Sequence, residues 1–548
     1  MMPIEQGVDD TASPGPTSPG PASPGPTTGD RTDDHRDGTP VRSRDLQRVV
    51  RLALAVLSLQ FIGLLAYSGL LYRRFTLGID FGIYFQAFAL ISHGHLDPYS
   101  TIVGYPFIQS HFELIVWPLS LLLVVFRTAF VILVVQDASL VGTGVLVVLW
   151  IAALVERRQL GRRAAVGTLA VTTVMVLVNP LVYYTAALDF HIEATATFFA
   201  VFAAYDIWSG RHRRAVIWLA LCLLCGDLGG LYVVGVGVSA TLASRSTRKL
   251  GLLSILAGVA WVAVISLLGA NKGSGISAQY AYVAGRAALP AGASGLFLVL
   301  HGAVAHPNRL LDRLGSRWSL IGSYLLPGGV IGILTPWGLG VPLLVLATSG
   351  FDFSTLFLGE PFQQFAVFPF VLFGTMSVVA HLASGRPPAL VRNRQWRRTR
   401  PTRLIAATLV TLGVLGVSVY FATQRIPKGV RDNGVGGLLP GDEAGVLGSV
   451  LARTPFSTQV IFSGTESGRF SGRPSISLIL YDPTVIPIQA SRVLLVMDTG
   501  HNLLTPAQEA MTARTVSLRF HARTQYHRSD LWVLEWSAPS NSPPIALP

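Results

Sequence analysis

About eleven apolar runs, several of them near the roughly 20 residues a helix needs to cross a bilayer, fill positions 47–422 of this chain. In lipid a spanning segment must satisfy its own backbone hydrogen bonds, so these runs are expected to be helices of a polytopic membrane protein that is mainly α. Composition agrees, with 51% of the 548 residues hydrophobic and only 13% charged. The formal net charge of +13 sits in Arg and Lys clusters beside apolar runs. Such clustering marks cytoplasmic loops, so it reads as topology and not as a nucleic-acid footprint. Membrane lipids are the expected surroundings. The only cysteines, Cys222 and Cys225, lie inside one apolar run, where a C-x-x-C pair reads as small packing residues and not as a disulfide or zinc framework.

Residues 1–46 are rich in Pro, Gly and Ser, have too little apolar surface to offset the entropy of ordering, and are expected to form a disordered cytoplasmic tail. The order of a signal peptide is missing there, and Arg42, Arg44, Arg48 and Arg51 precede the first span, Val49 to Leu71. That span places the loop 72–127 outside, with Phe112 to Phe126 as a shallow or re-entrant helix. Further spans are expected near 128–154, 164–184, 192–208, 213–226, 228–243, 251–270, 319–334, 336–349, 364–383 and 404–422. The basic clusters at Arg157, Arg211, Arg245 and Arg394 then all fall inside, and an odd number of crossings puts the C-terminus outside. Gly295 to Leu300 is expected to lie along the membrane surface. Residues 423–548 change character. Runs at Gln459, Ser475, Arg492 and Asp530 read as strands and Thr505 to Arg514 as a capped helix, enough for a small extracytoplasmic α/β domain.

Ionisable side chains at a membrane boundary are costly unless they face water, a partner or a ligand. The stretch Gly78 to Gln86 carries Asp80 and Gln86, and leads through His93, His95 and Asp97 to His111 and Glu113. Under the expected topology three further groups reach the same face: Asp189, His191 and Glu193 after the third span, Asp227 at a Gly-rich break, and Gln363 at the start of the tenth span. Asp80 fits a catalytic base, and its plainer reading is the cap of a helix beginning near Phe81. The pairs His111/Glu113 and His191/Glu193 have a spacing that suits substrate binding or a divalent cation, and equally suits solvated groups at helix starts. Asp227 suits either an unwound helix facing a phosphate or a tight turn. Trp117, Trp337 and Tyr84 read as interface anchors or as sugar-stacking platforms.

As an ordered set, Gly78 to Gln86, His111-Phe112, Asp189 to Glu193 and the Asp227 break resemble the bacterial membrane-protein family called domain of unknown function 2079, DUF2079. Its layout is similar to that of the polytopic glycosyltransferases of the C superfamily (GT-C), and the resemblance covers roughly residues 50 to 540. It implies a GT-C-like bundle of about eleven helices, a polyprenyl-phosphate sugar as donor, a glycan or lipid of the cell envelope as acceptor, and Asp80 in the position of the acidic residue of the first outer loop. The family usually has Asp where this chain has Phe85, Lys-Glu before the acid where it has Cys225-Gly226, and His where it has Gln363.

The functional expectation is therefore an integral membrane glycosyltransferase in the bacterial cytoplasmic membrane, working on the outer face. Gln86, His111, Glu113, Asp189, His191, Glu193, Asp227 and Gln363 are its candidate binding residues. A transporter or flippase of a lipid or solute is the alternative from another class, and an inactive envelope scaffold is a third. The polar groups gather at span ends on one face and no repeated half is visible, which favours the enzyme.

Overall fold

The computed structural model describes residues 43–268, 280–286, 289–290, 293–351, 361–384, 400–433, 438–462, 465–478, 485–486, 488–498, 505–528, 531–539 and 545–546. Residues 1–42 of the expected tail and the arginines at 394, 397 and 398 lie outside the described residues, whereas 43–46 open the first helix.

Among the described residues, six segments are long and apolar enough to cross a membrane. They are α1 (Ser43–Arg73), α5 (Phe130–Arg158), α6 (Arg162–Leu177) continued by α7 (Pro180–Leu188), α11 (Arg245–Leu267), α17 (Val367–Ser384) and α18 (Arg400–Asn433). Shorter helical elements pack among them: α8 (Glu193–Trp208), α9 (His212–Leu223), α10 (Asp227–Ala243), the stretch from α14 (Trp318–Leu325) through 3-10 turns to Leu334, and α15 (Pro336–Phe351). Side-chain contacts define the ends. At one end Asp45 of α1 meets Arg162 of α6 at 3.3 Å, Asp206 of α8 meets Arg211 and Arg214 beside α9 at 3.1 and 3.3 Å, and Arg158 of α5 lies 2.9 Å from His381 of α17. At the other, Tyr67 of α1 donates to Val430 of α18 at 3.5 Å, and Phe112 meets Trp261 of α11 with centroids 5.9 Å apart. Close helix approach relies on glycine: a Cβ on Gly340 of α15 would meet the Gly235 carbonyl of α10 at 2.1 Å. Leu52, Leu59 and Ile62 of α1, and Leu409 and Leu412 of α18, stay exposed, as a lipid-facing surface requires.

The stretch expected as a polar loop is largely a helix, α2 (Ile79–Ser92). After it come a two-stranded hairpin of β1 (Tyr99–Ser100) and β2 (Tyr105–Pro106), the turn α3 (Phe107–Ser110), and α4 (Val116–Phe126). At 11 residues α4 is too short to cross, which agrees with a shallow helix, and its Leu121, Val124, Val125 and Phe126 are exposed. Between α11 and α14 the apolar piece is α12 (Ala293–Ala305), followed by α13 (Pro307–Ser316) and, ahead of α17, by the short α16 (Pro361–Gln364).

The C-terminal region is an α/β domain. Its five-stranded sheet has the order β4 (Ile476–Leu478), β3 (Gln459–Phe462), β6 (Arg492–Asp498), β8 (Leu531–Ser537), β7 (Arg523–Arg528). β3 pairs in parallel with β4 and β6, and β8 pairs antiparallel with β6 and β7. Alternation divides the strands. Val493, Leu495, Leu534 and Trp536 pack with Ala513 and Val516 of α20 (Pro506–Phe520), whereas Phe462, Leu494, Val496 and Val533 join one core with α19 (Gly441–Arg453) and the membrane-embedded bundle. Helix α20 opens with the capping box Thr505/Gln508. Both α19 and the exposed strand β7 escape sequence reading, since neither shows a long apolar run.

Candidate functional site

Helix α2 sits at the bundle end where the C-terminal domain docks, and its first turn carries Asp80. Gly78 stands at the N-cap with no side-chain cap of its own. The cap comes from elsewhere: Asp189, at the end of α7, accepts the Gly78 N–H at 2.9 Å and the N–H groups of Asp80 and Phe81 as well. A helix start leaves such donors orphaned, so a carboxylate placed there stabilises the turn and fixes Asp80. Asp80 is thus not the cap of its helix, and Asp189, expected as a binding residue, has its oxygens engaged by backbone. Gln136 of α5 secures the same loop, donating to the Asp189 carbonyl at 2.8 Å and accepting from the His191 N–H at 2.6 Å.

Around Asp80 the acids converge. Glu113 is 9% exposed, and Glu193 at the head of α8, Asp227 at the head of α10, and Asp80 all act on it electrostatically. Tyr84, one turn beyond Asp80, hydrogen-bonds to Glu113. Its ring is held by Phe107, His111 and Phe190 at centroid distances of 5.7, 5.2 and 4.9 Å. Glu113 packs over Gly226, which holds φ +94°, and where a Cβ would lie 3.0 Å from Glu113 Cγ. The tie Ile115 N–H to Leu224 carbonyl, 2.9 Å, holds the two loops together.

Burial dominates the electrostatics. It raises the carboxyl of Asp80 and pushes that of Glu113 well above the ordinary range, with the charge of Glu193 adding to the latter. Asp189 is raised well above that range by burial and then by Asp80, with its three backbone donors acting in opposition. Burial lowers His111 to about 4 and His191 to about 3, so both imidazoles are neutral at pH 7. Among the described residues no three His, Cys, Asp or Glu side chains are arranged to hold a metal ion.

Asp80, His111, Glu113, Asp189, His191, Glu193 and Asp227 come together as expected. Gln363 lies at the same end in α16, where its carbonyl accepts from Tyr232 at 3.3 Å. Gln86 does not join them. It is fully buried on another side of α2, donates to Thr101 Oγ1 and to the Arg473 carbonyl at 2.9 Å each, and accepts from the Thr101 N–H at 3.1 Å, so it clamps the C-terminal domain to the first loop. His93, His95 and Asp97 are exposed, and the His93 ring stacks on Phe456. Tyr84 and Trp337 are not interface anchors: both are buried, Trp337 against Trp150 at 5.7 Å. Gln136 is the member that the sequence did not reveal, because a lone glutamine in an apolar run carries no signal of its own, and Tyr84, read there as an anchor or a stacking platform, turns out to be the hydrogen-bond partner of Glu113.

The family model described as "Predicted membrane protein (DUF2079)" matches residues 71–428, more than half of the chain. The chain belongs to this family. The DUF2079 segment holds every acid of the cluster, and the C-terminal sheet lies beyond it. Among solved structures the chain is similar to ArnT from Cupriavidus metallidurans bound to undecaprenyl phosphate, at 13% identity and TM-score 0.44, covering 88% of this chain and 97% of that one. It is also similar to ArnT from Cupriavidus metallidurans in the apo state, at 13% identity and TM-score 0.38, covering 87% and 98%. No curated protein matches this chain.

Proposed function

We propose that this DUF2079 protein is a membrane glycosyltransferase that moves a sugar from a polyprenyl-phosphate donor to a hydroxyl of an envelope glycan or lipid. The observation that carries the reading is Asp80, a half-buried carboxyl of raised pKa at the head of α2, set where the heads of α8 and α10 deliver Glu193 and Asp227 and the loop before α4 delivers Glu113. A carboxylate of raised pKa is a stronger base than one in water, as removal of a hydroxyl proton needs. The acceptor proton passes to Asp80 as its oxygen bonds to the sugar's anomeric carbon. The bond from that carbon to the phosphate oxygen breaks, and the lipid phosphate leaves. The exposed apolar face of α4, beside α2, supports a lipid donor reaching this end of the bundle.

Transport of a solute is the second reading. It draws on Asp137, buried inside the span α5 beside Ser68, an expensive place for a carboxyl without a role.

The test compares envelope glycans and glycolipids from cells lacking the protein with cells restored by the native chain or by Asp80→Asn at equal abundance. One glycan is expected to vanish on deletion and to return only with the native chain. Full restoration by Asp80→Asn would remove Asp80 from the chemistry and move transport ahead.

A further inference from the structure

We propose that Glu113 is the proton donor to the departing lipid phosphate, opposite Asp80 as the acceptor's base; the assignment rests on the transferase reading above. Its grounds are where Glu113 sits and what surrounds it. The side chain is 9% exposed, one oxygen is engaged by Tyr84, and Oε2 has no hydrogen-bond partner among the described residues. Each element packed around it contributes either an acid or a neutral group. Helix α2 brings Asp80 and Tyr84, the α3–α4 loop brings His111, α8 brings Glu193, and the α9–α10 break brings Asp227 and Cys225. Among the described residues, the charges that act on Glu113 are those of Glu193, Asp227 and Asp80, all negative.

An ionised carboxylate there would suffer both desolvation and like-charge repulsion, so the stable form is the carboxylic acid. A protonated carboxyl is an O–H donor, which an ionised one is not. The departing phosphate gains negative charge as the glycosidic bond breaks, and a donor placed where that charge develops lowers the barrier. Cluster and phosphate would otherwise repel each other. The held proton is what lets an acidic recess accept an anion.

The step balances. The acceptor oxygen bonds to the anomeric carbon while its proton goes to Asp80. The electron pair of the broken bond stays on the phosphate oxygen, which takes the proton of Glu113. The proton on Asp80 then returns to Glu113 through the Tyr84 hydroxyl, which is hydrogen-bonded to Glu113 and lies within reach of Asp80's charge. Two carboxyls of the same cluster thus hold opposite roles, one as base and one as acid.

The full-length protein in lipid nanodiscs tests this, with undecaprenyl phosphate as the probe and undecaprenol as its uncharged control. Native protein is expected to prefer the phosphate at neutral pH and to lose that preference by roughly tenfold per pH unit above the titration of Glu113. Glu113→Gln keeps the shape and an N–H donor, so its preference should no longer follow this titration. An infrared band of a protonated carboxyl, present in native protein at pH 7, should disappear in the same variant. Tyr84→Phe removes the bond that lowers the pKa of Glu113, and should move the loss of preference to higher pH. An unchanged pH profile and an unchanged infrared band in Glu113→Gln would overturn the assignment while leaving the transferase intact. Native protein that never distinguishes phosphate from alcohol would overturn the transferase reading, and this assignment with it.

Discussion

Asp189 has one carboxylate and three backbone donors to satisfy, those of Gly78, Asp80 and Phe81. It acts on the reaction through the geometry of Asp80. A Cβ at Gly78 would stand 2.9 Å from Asp189 Oδ2, so glycine is what lets the two chains approach this closely. Asp189→Ala removes the cap and is expected to cost about 1–2 kcal/mol of stability together with transfer activity. Asp189→Asn keeps one acceptor oxygen but turns an amide NH2 toward the remaining backbone donors, so it should unfold between the Ala variant and the native chain. Thermal unfolding in detergent checks both, and an Ala variant as stable as the native chain would remove the cap from the account. In the sequence, Asp189 and Asp80 were legible as members of one polar group, because acids at span ends are conspicuous. Which of them caps and which is left to act was not legible, since 109 residues separate them in the chain and only the meeting of α7 with α2 decides it.

At the level of elements α2 is the hub. Tyr84 and Gln86 are two positions apart, which on a helix turns them by about 200°, so one enters the acidic cluster and the other the domain interface. On the interface side the 3-10 turn Thr465–Phe470 lies over α2, Phe75 meets Phe470 at 5.7 Å, and Arg469 covers the rings of Tyr72 and Phe75 at 4.6 and 4.3 Å. Thr101 links three pieces, since its hydroxyl accepts from Gln86 Nε2 at 2.9 Å and from the Ile476 N–H at 2.7 Å. Thr101→Val leaves both donors unpaired in a buried place, at a cost of about 1–3 kcal/mol. The expected outcome is faster amide exchange in residues 468–478 with β6 unchanged. Equal loss of protection in β6 would mean that the domain unfolds as a whole instead of undocking.

Over the whole molecule, the proposed eleven crossings, six of them the long apolar segments, would place the start of α1 and the C-terminal domain on opposite sides. The end that carries Arg158, Arg162, Arg211 and Arg214 is the one that the positive-inside rule assigns to the cytoplasm. With an impermeant maleimide, Thr524→Cys in β7 is expected to label in intact cells and Arg213→Cys in the first turn of α9 only after permeabilisation. Native Cys222 and Cys225 are buried and should stay silent in both. Labelling of both engineered positions from one side would make the number of crossings even and detach the domain from the site face. Hydrophobic periodicity and charge placement are properties of a local stretch of chain, so the sequence alone determined the membrane class, the long apolar helices and the α/β region after them. Burial and pairing depend on which distant helix ends meet. Only the tertiary structure therefore decided that Asp189 caps α2, that Gln86 is a clamp, that Trp337 is core, and that Tyr84 and Glu113 face each other in a recess where the charges acting on the glutamate, among the described residues, are those of other acids.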